Sequence, residues 1–160
     1  MNRFSQELNK NDILSFKEIL NSTAFFYDFE IDIVVDIFNE TLAKGQEESG
    51  YYWTKLLNED NRILGFAIYG PNPSTIGSWD FYWLAISNEF RNKHLGTLLL
   101  KEIEKNTRLW GGKILWIETS GRLQYLPTRK FYDKCNYIKE ASLKDYYGVG
   151  DDKVIYKKIL

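Results

Sequence analysis

Arg91 and Lys93 sit in a polar loop, Ser87-Asn88-Glu89-Phe90-Arg91-Asn92-Lys93-His94, between a short apolar run, Trp83-Leu84-Ala85-Ile86, and an amphipathic stretch. In that stretch Leu95, Leu99, Ile103 and Trp110 share one helical face, and Gly111-Gly112 ends it. The pattern predicts strand, tight loop and helix, with Arg91 to Thr97 at the helix N-terminus. Free backbone N–H groups and the positive end of the helix dipole make such a terminus an anion site, to which the two side chains add full charges. A phosphate-bearing ligand suits it; a solvated basic turn is the plainer reading. Two familiar phosphate loops are excluded, because the chain has no G-x-x-x-x-G-K-[ST] and Gly96 alone cannot supply G-x-G-x-x-G.

The surrounding elements follow from periodicity. Residues 3–8 read as a first strand. Ile13, Phe16, Ile19 and Leu20 fall at helical spacing from Asp12 to Leu20, with Asn21-Ser22-Thr23 as the break. A second helix is expected from about Glu30 to Lys44, stopped by Gly45. The connection between them, Ala24-Phe25-Phe26-Tyr27-Asp28-Phe29, is aromatic enough to be either core or the wall of a binding site. Tyr51–Leu57 and Arg62–Tyr69 read as a hairpin, followed by a strand from Trp79 to Ile86. After the central helix, Lys113–Glu118 is a continuous apolar run ending in a carboxylate, the expected return strand of a βαβ unit. A short helix spans about Pro127 to Cys135, and strands at Tyr137–Leu143 and Lys153–Ile159 flank a loop from Lys144 to Asp152.

Composition narrows the function classes. The 160 residues suit one domain, 1–160, with 44% hydrophobic and 27% charged residues as in ordinary globular proteins. A net charge of −1 supplies no field favouring nucleic acid or an anionic membrane. Cys135 is the single cysteine, so no internal disulfide or structural zinc cluster can be built, and it reads as a packed thiol. No metal site is expected. The N-terminus has no signal-peptide core and no run reaches membrane-spanning length, so a cytoplasmic protein is expected. Aromatic content of 16% points to a bulky core or to an aromatic-lined cavity.

The loop spacing, Ile86-x-Asn88-x-x-Arg91-x-x-His94-x-Gly96, resembles the acetyl-CoA motif of the GNAT superfamily of N-acetyltransferases, roughly V-x-P-x-x-[QR]-x-x-G-x-[GA]. Asn88 replaces the proline and His94 the first glycine. Farther on, Phe131-Tyr132 and Tyr137 resemble the second signature, N-x-x-A-x-x-[LF]-Y-x-x-x-G-[FY], with Tyr125 in place of Asn, Thr128 of Ala and Asn136 of Gly. Asn also tolerates the left-handed conformation that ends a helix. The order β-α-α-β-β-β-α-β-α-β-β is that of the GNAT acyl-CoA N-acyltransferase fold. It implies a mixed, mostly antiparallel sheet with helices on both faces: α/β broadly, α+β on a stricter count.

The resemblance implies acetyl transfer from acetyl-CoA to a primary amine of a small molecule or protein. Pyrophosphate would lie on Arg91, Asn92, Lys93, His94, Leu95, Gly96 and Thr97, with His94 contributing its backbone N–H. The pantetheine arm would pair like an added strand with the edge at Leu84, Ala85 and Ile86, where the sheet is expected to splay. Tyr132 would serve the departing thiolate as an acid. Glu118 would be the base, directly or through water; the plainer alternative is a carboxylate paired with a local Lys or Arg. Asp80 and Tyr82 alternate with Trp79, Phe81 and Trp83, and would help bind the acceptor if their set faces the site. The tail Asp145-Tyr146-Tyr147-Gly148-Val149-Gly150-Asp151-Asp152-Lys153 is similar to the Y-x-x-G-D-D-K tail of a GNAT subgroup; its acids either solvate a turn or favour a cationic acceptor. A non-catalytic CoA-binding GNAT module is the alternative function. The acceptor is not legible, and oligomeric state is open, a homodimer included.

Overall fold

A computed structural model describes residues 1–160. Its strands form a seven-stranded sheet in the order β1-β2-β3-β4-β5-β7-β6. The strands are β1 (Arg3–Ser5), β2 (Tyr52–Leu57), β3 (Ile63–Pro71), β4 (Ser78–Ile86), β5 (Ile114–Ser120), β6 (Ile138–Gly148) and β7 (Asp151–Ile159). The helices are α1 (Asp12–Thr23), α2 (Asp28–Lys44), the single turn α3 (Gln46–Ser49), α4 (Leu95–Leu109) and α5 (Leu126–Lys134). The expected order is present, with the short α3 added. By backbone contact the chain divides into two compact units, Met1–Gly70 with Trp83–Lys105, and Pro71–Tyr82 with Asn106–Leu160. No helix is long and apolar enough to cross a membrane.

In the first unit β1, β2 and β3 pair antiparallel, and α1 and α2 supply the apolar side chains that cover them. Phe16 is the centre of that core. Its ring lies 4.4 Å from Phe66, 5.2 Å from Trp53 and 5.7 Å from Phe38, and all four are essentially inaccessible to water. Much of the aromatic richness is therefore packing, with stacked and edge-on geometries that add to area burial. The Trp53 indole N–H donates to Thr41 Oγ1 at 3.1 Å, so the largest buried ring leaves no polar atom unpaired. The buried Lys55 Nζ meets Asp12 Oδ2 at 2.7 Å, fixing the N-terminus of α1 against β2.

Helix α1 runs through Asn21-Ser22-Thr23, where the sequence reading expects a break. The Ser22 and Thr23 hydroxyls donate to the carbonyls of Ile19 and Leu20, at 2.7 and 2.8 Å, so they bond within the helix and leave its backbone intact. Termination falls one residue later, at Ala24 with φ 55°. Helix α2 also begins earlier than expected, at Asp28, because the Glu30 carboxylate accepts the Tyr27 N–H at 2.8 Å. The aromatic connection divides: Phe25 and Phe26 are half-buried, while Tyr27 and Phe29 are exposed and stacked at 5.5 Å.

In the second unit β4 and β5 run parallel, and β5–β7 and β7–β6 antiparallel. Trp79, Phe81, Leu115, Ile117, Val154 and Tyr156 are buried on one face. Trp110 stacks on Trp79 at 5.7 Å, and Gly111, at φ 84°, turns the chain after α4 as expected. The segment expected as a loop from Lys144 to Asp152 is mostly strand. Strand β6 continues to Gly148 and β7 starts at Asp151, leaving Val149-Gly150 as the turn. Side chains hold that hairpin: Asp145 Oδ1 accepts the Gly150 N–H at 2.7 Å, and Asp152 Oδ1 accepts the Asp145 N–H at 3.0 Å.

Candidate functional site

The loop between β4 and α4 is shaped by two left-handed residues, Asn92 at φ 61° and His94 at φ 57°. Only glycine adopts that region without cost, which gives a physical reason why the motif carries a glycine where this chain has His94. The first backbone bond of α4 is from the Leu98 N–H to the His94 carbonyl, at 3.1 Å. The N–H groups of Leu95, Gly96 and Thr97 thus precede the helix's hydrogen-bonded ladder, as an anion cradle requires. Arg91, Asn92, Lys93 and His94 are all exposed. The Arg91 guanidinium lies 5.2 Å over the Phe25 ring and the Lys93 ammonium 5.1 Å over Phe90. Each cation is thereby held at the loop rather than extended into solvent. The residues present fit a phosphate group.

Upstream, Leu84, Ala85 and Ile86 complete β4. Its end is tied to β3 by the Ser87 N–H donating to the Leu64 carbonyl at 2.9 Å. Gly65 makes the close approach possible: a Cβ there would lie 2.7 Å from the Ala85 carbonyl oxygen.

In the second unit strand alternation sorts the remaining candidates by face. The β4–β5 register pairs Asp80 with Trp116 and ends at Phe81–Ile117, although β5 continues to Ser120 and β4 to Ile86. Paired residues share a face, and residues two apart along a strand do too. Asp80, Tyr82, Trp116 and Glu118 therefore lie on one face, and Phe81, Ile117 and Tyr156 on the other. Helix α5 packs on the second face, with Tyr132 5.7 Å from Tyr156, 6.0 Å from Tyr137 and 5.5 Å from Phe131. Arg129 anchors the helix by donating to the carbonyls of Ser120 and Arg122, at 2.7 and 2.9 Å. The helix ends through Asn136 at φ 63°, the conformation expected of the residue replacing glycine.

Tyr132 is 7% exposed, and burial, with smaller contributions from Cys135 and Tyr156, pushes its phenol well above the ordinary tyrosine range. It stays protonated across the physiological range, as a proton donor must. Glu118 is half-exposed and its Oε2 accepts Lys153 Nζ at 2.7 Å, so the plainer alternative weighed for it, a local ion pair, is present. That lysine is 11% exposed and lies 4.2 Å over the Tyr146 ring. Burial lowers its proton affinity, and the bond and charge of Glu118 together with Tyr146 more than reverse this. Asp80 is half-buried with Oδ2 accepting from Asn72 Nδ2 at 3.1 Å. Burial raises its pKa above the usual carboxylate value; the Asn72 bond and Lys153 oppose that, and Glu118 adds to it.

The tail's acids are structural. Asp151 pairs with Arg122 at 3.0 Å, and Asp145 and Asp152 hold the turn. Reasoning from sequence missed Lys153 as the partner of Glu118, Asn72 as the partner of Asp80 and Phe25 beneath Arg91. Lys153 was visible as the last residue of the tail; the other two contacts carry no local signal.

The sequence profile of the Acetyltransferase (GNAT) family matches residues 14–137. The chain belongs to the GNAT family. A GNAT-family protein from Desulfovibrio desulfuricans has a solved structure 36% identical to this chain, covering 99% of each with a TM-score of 0.95. The ribosomal-protein-S18-alanine N-acetyltransferase of Escherichia coli is 18% identical, with 99% of this chain and 94% of that one covered and a TM-score of 0.74. A GNAT acetyltransferase from Elizabethkingia anophelis with acetyl-CoA bound is 14% identical, with 99% and 98% covered and a TM-score of 0.74. The last two likenesses carry the fold alone. No curated protein matches the chain. As a GNAT acetyltransferase it has the expected mixed fold, with β4–β5 parallel and β1–β2, β2–β3, β5–β7 and β6–β7 antiparallel.

Proposed function

We propose that this GNAT protein is an acetyl-CoA-dependent N-acetyltransferase whose acceptor is a primary amine of a small molecule or peptide, with residues 1–160 working as one domain. Acetyl-CoA, when bound, supplies the acetyl group as an activated thioester. The backbone of Arg91 to Thr97 receives the pyrophosphate, and Arg91 and Lys93 neutralise its charge. The β4 edge at Leu84, Ala85 and Ile86 aligns the pantetheine arm and offers an N–H to the thioester carbonyl. Tyr132 donates a proton to sulfur. The face bearing Asp80, Tyr82 and Glu118 takes the amine, and a carboxylate there receives its proton.

The observation that carries this reading is Tyr132: the family's tyrosine is kept, buried among aromatic rings and held in its acid form. A module that only bound CoA would have no use for a proton donor on the face of the sheet opposite two carboxylates. Incubating the protein with acetyl-CoA and a panel of primary amines, with free thiol and acetylated amine measured together, tests it. Equal release of both products is expected for at least one amine. Tight CoA binding without product for any amine would favour the sensing module instead.

A further inference from the structure

We infer that Asp80, rather than Glu118, takes the proton from the acceptor amine, and that Glu118, held by Lys153, is a positioning residue. This rests on the acetyltransferase reading above. Both carboxylates lie on the face of the second unit's sheet opposite Tyr132, but their surroundings differ. The Glu118 Oε2 already accepts a hydrogen bond from the Lys153 ammonium, a cation further fixed by the Tyr146 ring. To act as a base it would have to give up the charge that this ion pair holds, a stronger bond than one to a neutral donor. Asp80 is bound by a neutral donor, the Asn72 amide, on one oxygen, and it is the more enclosed of the two. Its charged neighbours are Glu118 from β5 and Lys153 from β7, with Asn72 from the loop after β3. Burial, the largest influence, makes its carboxylate a better proton acceptor than a solvated one.

The proton count closes. An acceptor arriving as an ammonium ion gives one proton to Asp80, which returns it to solvent. The freed nitrogen lone pair forms the C–N bond to the thioester carbonyl carbon, and the C–S bond breaks with its electron pair on sulfur. The Tyr132 hydroxyl gives its proton to sulfur; the surplus proton on nitrogen is lost to solvent, from which the phenolate regains one. One ammonium and one thioester become one amide, one thiol and one released proton.

The test compares Asp80→Asn and Glu118→Gln with acetyl-CoA and two probes: benzylamine, protonated at neutral pH, and methoxyamine, already neutral there. In the Asn variant the side-chain oxygen can still accept from Asn72, so the local fold is preserved. Asp80→Asn should lower kcat with benzylamine by about 10²–10⁴ and move the ascending limb of its pH profile up to the amine's own titration, as expected when the enzyme's base is lost. With methoxyamine the loss should be under about tenfold, because no proton needs removing before attack. Glu118→Gln should leave the limb's position unchanged. The reverse pattern, with the amine-selective loss in Glu118→Gln, would overturn the assignment. A carboxyl carbon NMR titration of the free protein needs no turnover: the resonance lost in Asp80→Asn should titrate above the ordinary aspartate range, and a midpoint at or below it would overturn the assignment too. A wild type that cleaves thioester with neither of these two amines and with no member of the primary-amine panel takes down the acetyltransferase reading and this inference with it. Benzylamine turnover that stays at the wild-type level in Asp80→Asn takes down this inference alone.

Discussion

Replacing Gly65 with alanine puts one methyl group where β3 and the end of β4 leave no room. The added Cβ would lie 2.4 Å from Ile86 Cδ1, 2.7 Å from the Ala85 carbonyl oxygen and 3.3 Å from Ile86 Cα. The first contact can be relieved by rotating a flexible side chain, but the other two are to backbone. Restoring an ordinary contact of 3.4 Å to the carbonyl oxygen requires β4 to move by about 0.7 Å at Ala85. Overpacking of this kind costs roughly 1–3 kcal/mol. At about 2–4 °C per kcal/mol for a chain of this length, Gly65→Ala should lower Tm by roughly 2–12 °C. The displaced segment is the proposed thioester edge, so Tm and acetyl-CoA affinity should fall together, measured by thermal melting and calorimetric titration on the same sample. A displacement of this size is large against hydrogen-bond tolerances, and affinity should weaken by about tenfold or more. An alanine variant with wild-type Tm would show that the close approach is relaxed in solution. One with lowered Tm and unchanged acetyl-CoA affinity would show that the β4 edge does not hold the cofactor.

The other expectations concern single groups. Tyr132→Phe keeps the ring in its cluster and removes the hydroxyl, so turnover should fall by about 10²–10⁴ with little change in CoA affinity; wild-type turnover would make the hydroxyl structural. Gly96→Val should weaken CoA binding at least about tenfold in a protein that still folds, since a branched side chain at the cradle obstructs backbone approach; unchanged affinity would remove the loop assignment. His94→Gly relieves a left-handed residue at φ 57°. If only its backbone serves the phosphate, CoA affinity should hold or rise, and a loss above about tenfold would show that the imidazole matters. Asp80 has a raised pKa in the fold, so its contribution to stability is full below the ordinary aspartate value and is lost as pH rises through the folded one. Asp80→Asn should therefore melt no lower than wild type at pH 7–8, and a clear drop would mean that the charged form is the stabilised one.

What was legible in the sequence had a local cause. The stripe Leu95, Leu99, Ile103 is buried because period and length fit a helix, and Gly111 and Asn136 end their helices because both tolerate positive φ. The loop between β4 and α4 was legible for the same reason: its turn and its free N–H groups belong to consecutive residues. The misplaced boundaries trace to side chains bonding their own backbone. Ser22 and Thr23 look like breakers until their hydroxyls find Ile19 and Leu20, and Asp145 and Asp152 look like solvated loop acids until they cap a hairpin turn. Partners distant in sequence were not legible. Asn72 reaches Asp80 across a strand start, and Lys153 reaches Glu118 diagonally across β5 and β7, where the opposed residue is Ile155. A diagonal contact of that kind depends on register, which composition does not encode.

Register also gives the proposed chemistry its direction. Along β5, Ile117 and Glu118 are neighbours in sequence and face opposite sides, one on the face of its cross-strand partner Tyr156 and the Tyr132 cluster, the other beside Lys153. Along β4, Phe81 and Asp80 divide in the same way. The parallel pairing aligns the two divisions, so both carboxylates share a face and the phenol has the other. The proposed proton acceptor and proton donor are thereby separated by the thickness of a sheet instead of neutralising each other. A one-residue slip of β5 against β7 would carry Glu118 to the tyrosine face and bury it without Lys153, while turning Ile117 outward. The buried apolar set on Leu115, Ile117, Val154 and Tyr156 forbids that slip. The hydrophobic alternation that holds this half of the sheet together is thus also what keeps the proposed acid and base apart.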